Sequence, residues 1–164
     1  MRAATYPGGH YNPAVTLGVW LRGKCKAKDV PLYMLAQVLG AACASLLAVK
    51  IKGTSLIVAA TPNTSNALIA EFIFTFALVY VVLNVATSKK TAGNSYYGLA
   101  IGFTLMTAAY AIGSISGCAI NPAVAIGLTI MGLSKLSNLW IFIVANLAGG
   151  ALAAAIFKIT NTQE

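Results

Sequence analysis

Two asparagines, Asn12 and Asn121, each open the string Asn-Pro-Ala-Val. An asparagine amide carries one acceptor oxygen and two N–H donors. Two such amides brought to one place could each cap a helix through the oxygen and offer an N–H to a passing polar molecule. Neither string is an isolated match. Tyr6 to Thr16 reads YPGGHYNPAVT and Ile115 to Ala125 reads ISGCAINPAVA, so each Asn follows a glycine-containing loop and precedes an apolar run. Glu71 is the other residue that invites chemistry, because it is the one charge inside a long apolar stretch. Charges at such a depth are rare and are usually paired or functional. With one His, three Cys and three acids in 164 residues, no metal-ligand set and no nucleophile–base pair is evident. No enzyme activity and no cofactor are expected.

The elements that must hold these residues are apolar helices. The chain is 59% hydrophobic and 9% charged, with a mean hydropathy of +0.81, against about 25% charged residues in a soluble domain. The expected class is an all-α integral membrane protein. The net charge of +8 is scattered between apolar runs, with no basic face interleaved with aromatics, which argues against nucleic acid as a partner. A bilayer crossing needs about 20 apolar residues. Val30 to Val49, Asn66 to Ala86, Tyr96 to Ile112 and Ser137 to Phe157 are read as four spans. Pro13 to Leu21 and Pro122 to Gly132 are too short to cross, and each begins at the Pro of an Asn-Pro-Ala. Asn favours the N-cap and Pro the first helical turn, so both are predicted to be half-length helices with sharp starts. Met1 to Gly9 lacks the apolar core of a secretory leader.

Charge orients the map. Arg22, Lys24, Lys26, Lys28, Lys89, Lys90 and Lys158, with Arg2, fall on one side, and Lys50, Lys52 and Lys135 on the other. The positive-inside rule makes the first side cytoplasmic, and the two half-helices then dip in from opposite faces. Asn12 and Asn121 are 109 positions apart. At that offset Gly8 meets Gly117, Gly18 meets Gly127, Ala36 meets Ala145, Gln37 meets Asn146, Gly40 meets Gly149 and Ala44 meets Ala153, without a gap. This is the pattern of an inverted repeat, a common plan in membrane transport proteins. The expected division is a partial first repeat over 5–52, an outer connecting loop over 53–65 and a complete second repeat over 66–160.

GGHYNPAVTLG and SGCAINPAVAIG, with AEFIFTFALV between them, resemble the aquaporin, or major intrinsic protein, family of channels for water and neutral solutes, from about Tyr6 to Lys158. The resemblance implies an inverted-repeat fold in which Asn12, Pro13, Ala14 and Asn121, Pro122, Ala123 form the paired pore motifs. It implies that carbonyls of Gly8, Gly9, His10, Gly117 and Ala119 line the path as acceptors, and that Glu71 braces the second loop by accepting backbone N–H bonds. His10 reads either as a pore ligand or as a packing anchor of its loop, and the anchor is favoured. In the family an Arg commonly follows the second Asn-Pro-Ala and completes a narrow filter; here the three matching positions are Val124, Ala109 and Cys118. All are small or medium-sized and uncharged, which predicts a wider, more apolar constriction. Tyr110 beside Ala109 would narrow it if the helix is rotated, and Phe142 falls where water-type members carry an aromatic.

The implied partners are water, small neutral solutes such as glycerol, the lipid bilayer and, by family analogy, three further copies in a homotetramer. The implied location is multi-pass in the plasma or inner cell membrane. Family members carry three spans and a half-helix per repeat, so two spans before Thr5 are expected to be missing, with one pore wall opened to lipid. That expectation carries the alternative of a non-conducting truncated fragment or scaffold subunit. Cys25, Cys43 and Cys118 imply no disulfide framework, and the sequon Asn63-Thr64-Ser65 is read as chance.

Overall fold

The computed structural model of the protein describes residues 9–54 and 57–163. Among these described residues six α-helices follow one another: α1 (Pro13–Leu21), α2 (Val30–Lys52), α3 (Thr64–Val82), α4 (Tyr97–Ser116), α5 (Pro122–Ile130) and α6 (Leu139–Thr160). A π turn, Leu83–Thr87, prolongs α3, and a short 3-10 turn, Leu136–Asn138, leads into α6. Four stretches, Val30–Lys52, Thr64–Thr87, Tyr97–Ser116 and Leu136–Thr160, are long and apolar enough to cross a membrane. Among the described residues the sheet content is one isolated bridge, Ala60 to Ser134.

The helix ends follow local chemistry and move several expected boundaries. The first span runs on through Lys50 and Lys52, cations that suit the negative end of a helix dipole, and stops at Gly53 with φ 73°. The third reaches Ser116 and stops at Gly117 with φ 89°. The second half-helix ends at Ile130, two residues short of Gly132, whose φ of 77° leaves the helical region. Asn63 serves α3 as its N-cap, accepting from the Asn66 N–H at 3.1 Å. The second span turns π at Leu83, where Thr91 Oγ1 and Asn94 Nδ2 hydrogen-bond to the carbonyls of Asn84 and Val85.

α3 packs along α6 and α4, α1 lies against α6, and α2 lies against α5. Close approach depends on glycine. A Cβ on Gly149 would stand 2.6 Å from the Phe72 carbonyl oxygen, and one on Gly150 would stand 2.7 Å from that of Ala14. The core between α1, α3 and α6 is filled by Val15, Val19, Val79, Leu83 and Phe157. α2 and α4 present most of their surface outward.

Candidate functional site

The two half-helices are built alike. Asn12 and Asn121 both take extended backbone, and their side-chain oxygens accept from the N–H two residues on, Ala14 and Ala123, at 2.9 Å each. Pro occupies the first helical position of each, where no N–H is needed. With the oxygen used as a cap, the amide nitrogen is free to reach across. Asn12 Nδ2 donates to the Ile120 carbonyl at 2.9 Å, and Asn121 Nδ2 donates to the Tyr11 carbonyl at 3.2 Å. Tyr11 and Ile120 are themselves equivalent in the 109-residue repeat, so the junction is reciprocal. The N-termini of α1 and α5 therefore meet head to head, and their positive dipole ends converge. One N–H of each amide is committed to the opposite loop, which leaves the second for another acceptor.

Different devices hold the two loops. In the second, Glu71, fully buried on α3, gathers three donors. Its Oε1 accepts from Ser116 Oγ at 2.6 Å and from the Ala119 N–H at 2.8 Å, and its Oε2 accepts from the Ile120 N–H at 2.6 Å. Ser116 Oγ in turn accepts from the Cys118 N–H at 3.1 Å. These bonds maintain a backbone that apolar side chains avoid: Cys118 has φ 52° and Ile120 φ 37°, conformations that cost of order 1–3 kcal/mol each. In the first loop, His10 is buried and stacked on Tyr33 at 4.3 Å, with Nδ1 2.8 Å from Thr16 Oγ1. Gln37 Nε2 reaches from α2 to the His10 carbonyl at 2.7 Å and to Thr16 Oγ1 at 2.8 Å. Gln37, Thr16 and Ser116 thus join the site, although their types alone do not mark them out. A polar Gln in the middle of an apolar span was the available signal for the first of these.

A family model described as Major intrinsic protein matches residues 2–157. The chain belongs to the major intrinsic protein family. Similar curated proteins include aquaporin NIP1-4 of Oryza sativa subsp. japonica, 38% identical over 163 residues, with 95% of this chain and 59% of that protein covered. Aquaporin TIP2-3 of Arabidopsis thaliana is 37% identical over 160 residues, with 94% and 64% covered. The chain therefore spans about three fifths of the length of these relatives. An X-ray structure of the aquaglyceroporin from Plasmodium falciparum shares the fold, with a TM-score of 0.76 at 22% identity, over 92% of this chain and 72% of that one.

Within this major intrinsic protein fold, the residues matched to the family's filter lie on three elements. Ala109 is exposed on α4, whereas its neighbours Ala108 and Ile112 pack into the core with Ile120. Cys118 is half-buried in the second loop, and Val124 is 41% exposed on the first turn of α5. Tyr110 points outward at 86% exposure, while Phe142 is buried against Ala119 and Ala125. Gly9 and Gly117 are exposed, Ala119 is buried, and Gly8 lies outside the described residues.

Proposed function

We propose that the protein is a passive channel for water and small neutral solutes such as glycerol, with a relaxed filter. The observation that carries this reading is the reciprocal junction of α1 and α5. A water oxygen moving past it can accept from the uncommitted N–H of Asn12 and then of Asn121, while its own hydrogens point away. That orientation, together with the two positive helix ends, disfavours a proton or a cation. The carbonyls of Gly9, His10, Gly117 and Ala119 supply acceptors along the approach; His10, although held by Gln37, keeps a second lone pair. Glu71 supports the loop and takes no part in proton transfer. Ala109, Cys118 and Val124 set the constriction, and the absence of a fixed charge among them admits solutes larger than water. The channel works in the plasma or inner cell membrane as a homotetramer.

The relaxed filter is tested in vesicles by placing the bulk and charge of arginine at its narrowest point. Val124→Arg is expected to lower glycerol uptake several-fold while water flow changes much less. An unchanged glycerol-to-water ratio would remove Val124 from the constriction.

Two observations favour a second reading, a non-conducting scaffold subunit. The repeat is packed unevenly: Gly149 on α6 is pressed against α3, whereas among the described residues no atom outside its own helix backbone lies within 4 Å of a Cβ placed on its counterpart Gly40 on α2. Tyr11, at the centre of the junction, is 83% exposed. Under this reading the 164-residue chain reconstituted alone leaves water flow at the level of empty vesicles.

A further inference from the structure

The exits of the two half-helices share one backbone design and differ in charge. After α1, Gly23 takes φ 80° and donates to the Trp20 carbonyl, while the Lys24 N–H reaches the Val19 carbonyl. After α5, Gly132 takes φ 77° and donates to Thr129, while the Leu133 N–H reaches Leu128. Both are Schellman ends. Residues 22–29 read RGKCKAKD, with four basic residues and one acid; the equivalent 131–138 read MGLSKLSN, with one basic residue. The lysines of the first exit are therefore not needed to build the turn.

The loop that carries them is fixed in place. Arg22 lies over the Phe157 ring at 4.8 Å, Cys25 packs against the α1–α3–α6 core, and the Asp29 N–H bonds to the Lys26 carbonyl. Lys26 and Lys28 are exposed and Lys24 is half-exposed, with exposed Lys158 at the same end of the bundle. Just before the loop, Trp20 is 38% exposed, and just after it Leu32 is 67% exposed. This sequence of exposed indole, lysines and exposed leucine is what the boundary between headgroups and hydrocarbon accommodates.

We propose that this basic loop is a docking surface for anionic phospholipid headgroups, with Lys24, Lys26 and Lys28 as its contact residues. The charge is complementary, the loop leads directly into the Val30–Lys52 stretch that is long and apolar enough to span a membrane, and the rigid turn spares the ordering cost of a flexible basic tail. The inference depends on the multi-pass membrane fold and not on conduction, so its test reads lipid and not flow.

The full chain is incorporated into nanodiscs of phosphatidylcholine mixed with phosphatidylserine, and the lipids retained on release are counted by native mass spectrometry. Phosphatidylserine is expected to be enriched about tenfold over its bulk share at low salt, and the enrichment is expected to fall as salt rises. The triple variant Lys24→Gln, Lys26→Gln, Lys28→Gln is expected to lose it, the matching Arg triple to keep it, and Lys50→Gln, Lys52→Gln, Lys135→Gln to leave it unchanged. Equal phosphatidylserine retention by wild type and the first triple would overturn the proposal. So would lysine-dependent capture of polyglutamate without any preference for phosphatidylserine.

Discussion

At the scale of single residues, the site depends on how few groups carry many bonds. Glu71 alone takes three donors, and it holds the positive-φ Ile120 directly and the positive-φ Cys118 through Ser116. In Glu71→Gln one oxygen becomes a donor and faces the Ile120 or Ala119 N–H, so at least one buried charge-assisted bond is lost. A loss of about 2–3 kcal/mol is expected, read as a lower thermal midpoint in detergent; an unchanged midpoint would mean that the loop holds its shape without the carboxylate. In the loop after α1, burial and then the Asp29 carboxylate push the Cys25 thiol up, which lowers its thiolate fraction at neutral pH. Asn12, Asn121 and Glu71 were legible in the sequence because each breaks a rule of its surroundings, two by repeating and one by being charged in an apolar run. Thr16 and Ser116 were not, and Gln37 showed only as an amide in an apolar span, because such groups gain meaning from partners distant in the chain, 27 positions for Gln37 with the His10 carbonyl and 45 for Ser116 with Glu71.

At the scale of elements, composition located the four crossings and the proline-headed half-helices, while ends and packing faces needed the structure. The π turn at Leu83–Thr87 reads LNVAT, and neither its Asn nor its Thr announces a π turn; Thr91 and Asn94 fold back from the next loop onto the carbonyls of Asn84 and Val85. Glycine separates the two repeats most cleanly. Gly149 and Gly40 occupy equivalent positions, yet only Gly149 meets backbone, the Phe72 carbonyl at 2.6 Å and the Phe76 nitrogen at 3.0 Å from a built Cβ. Backbone cannot rotate aside, so Gly149→Ala is expected to destabilise by about 1–3 kcal/mol. Gly40→Ala is expected to be neutral or to stabilise by up to about 1 kcal/mol through helix propensity. Thermal unfolding of both variants in one detergent checks this, and equal losses would contradict the uneven packing.

At the scale of the whole molecule, a membrane helix bundle brings two helix N-termini to one point. Broken helices are tolerated within a bilayer only where they are buried in protein or line a water-filled path. The first requirement is met where α1 lies against α6 and α5 against α2; under the proposed channel the exposed face of Val124 would meet the second. The most direct measurement is osmotic water permeability by stopped-flow light scattering. It uses vesicles carrying the protein isolated from its source membrane at the length it has there. A rate well above that of protein-free vesicles is expected, with no accompanying proton leak when a pH gradient is imposed. A rate equal to that of protein-free vesicles, with the protein inserted and folded, would contradict it.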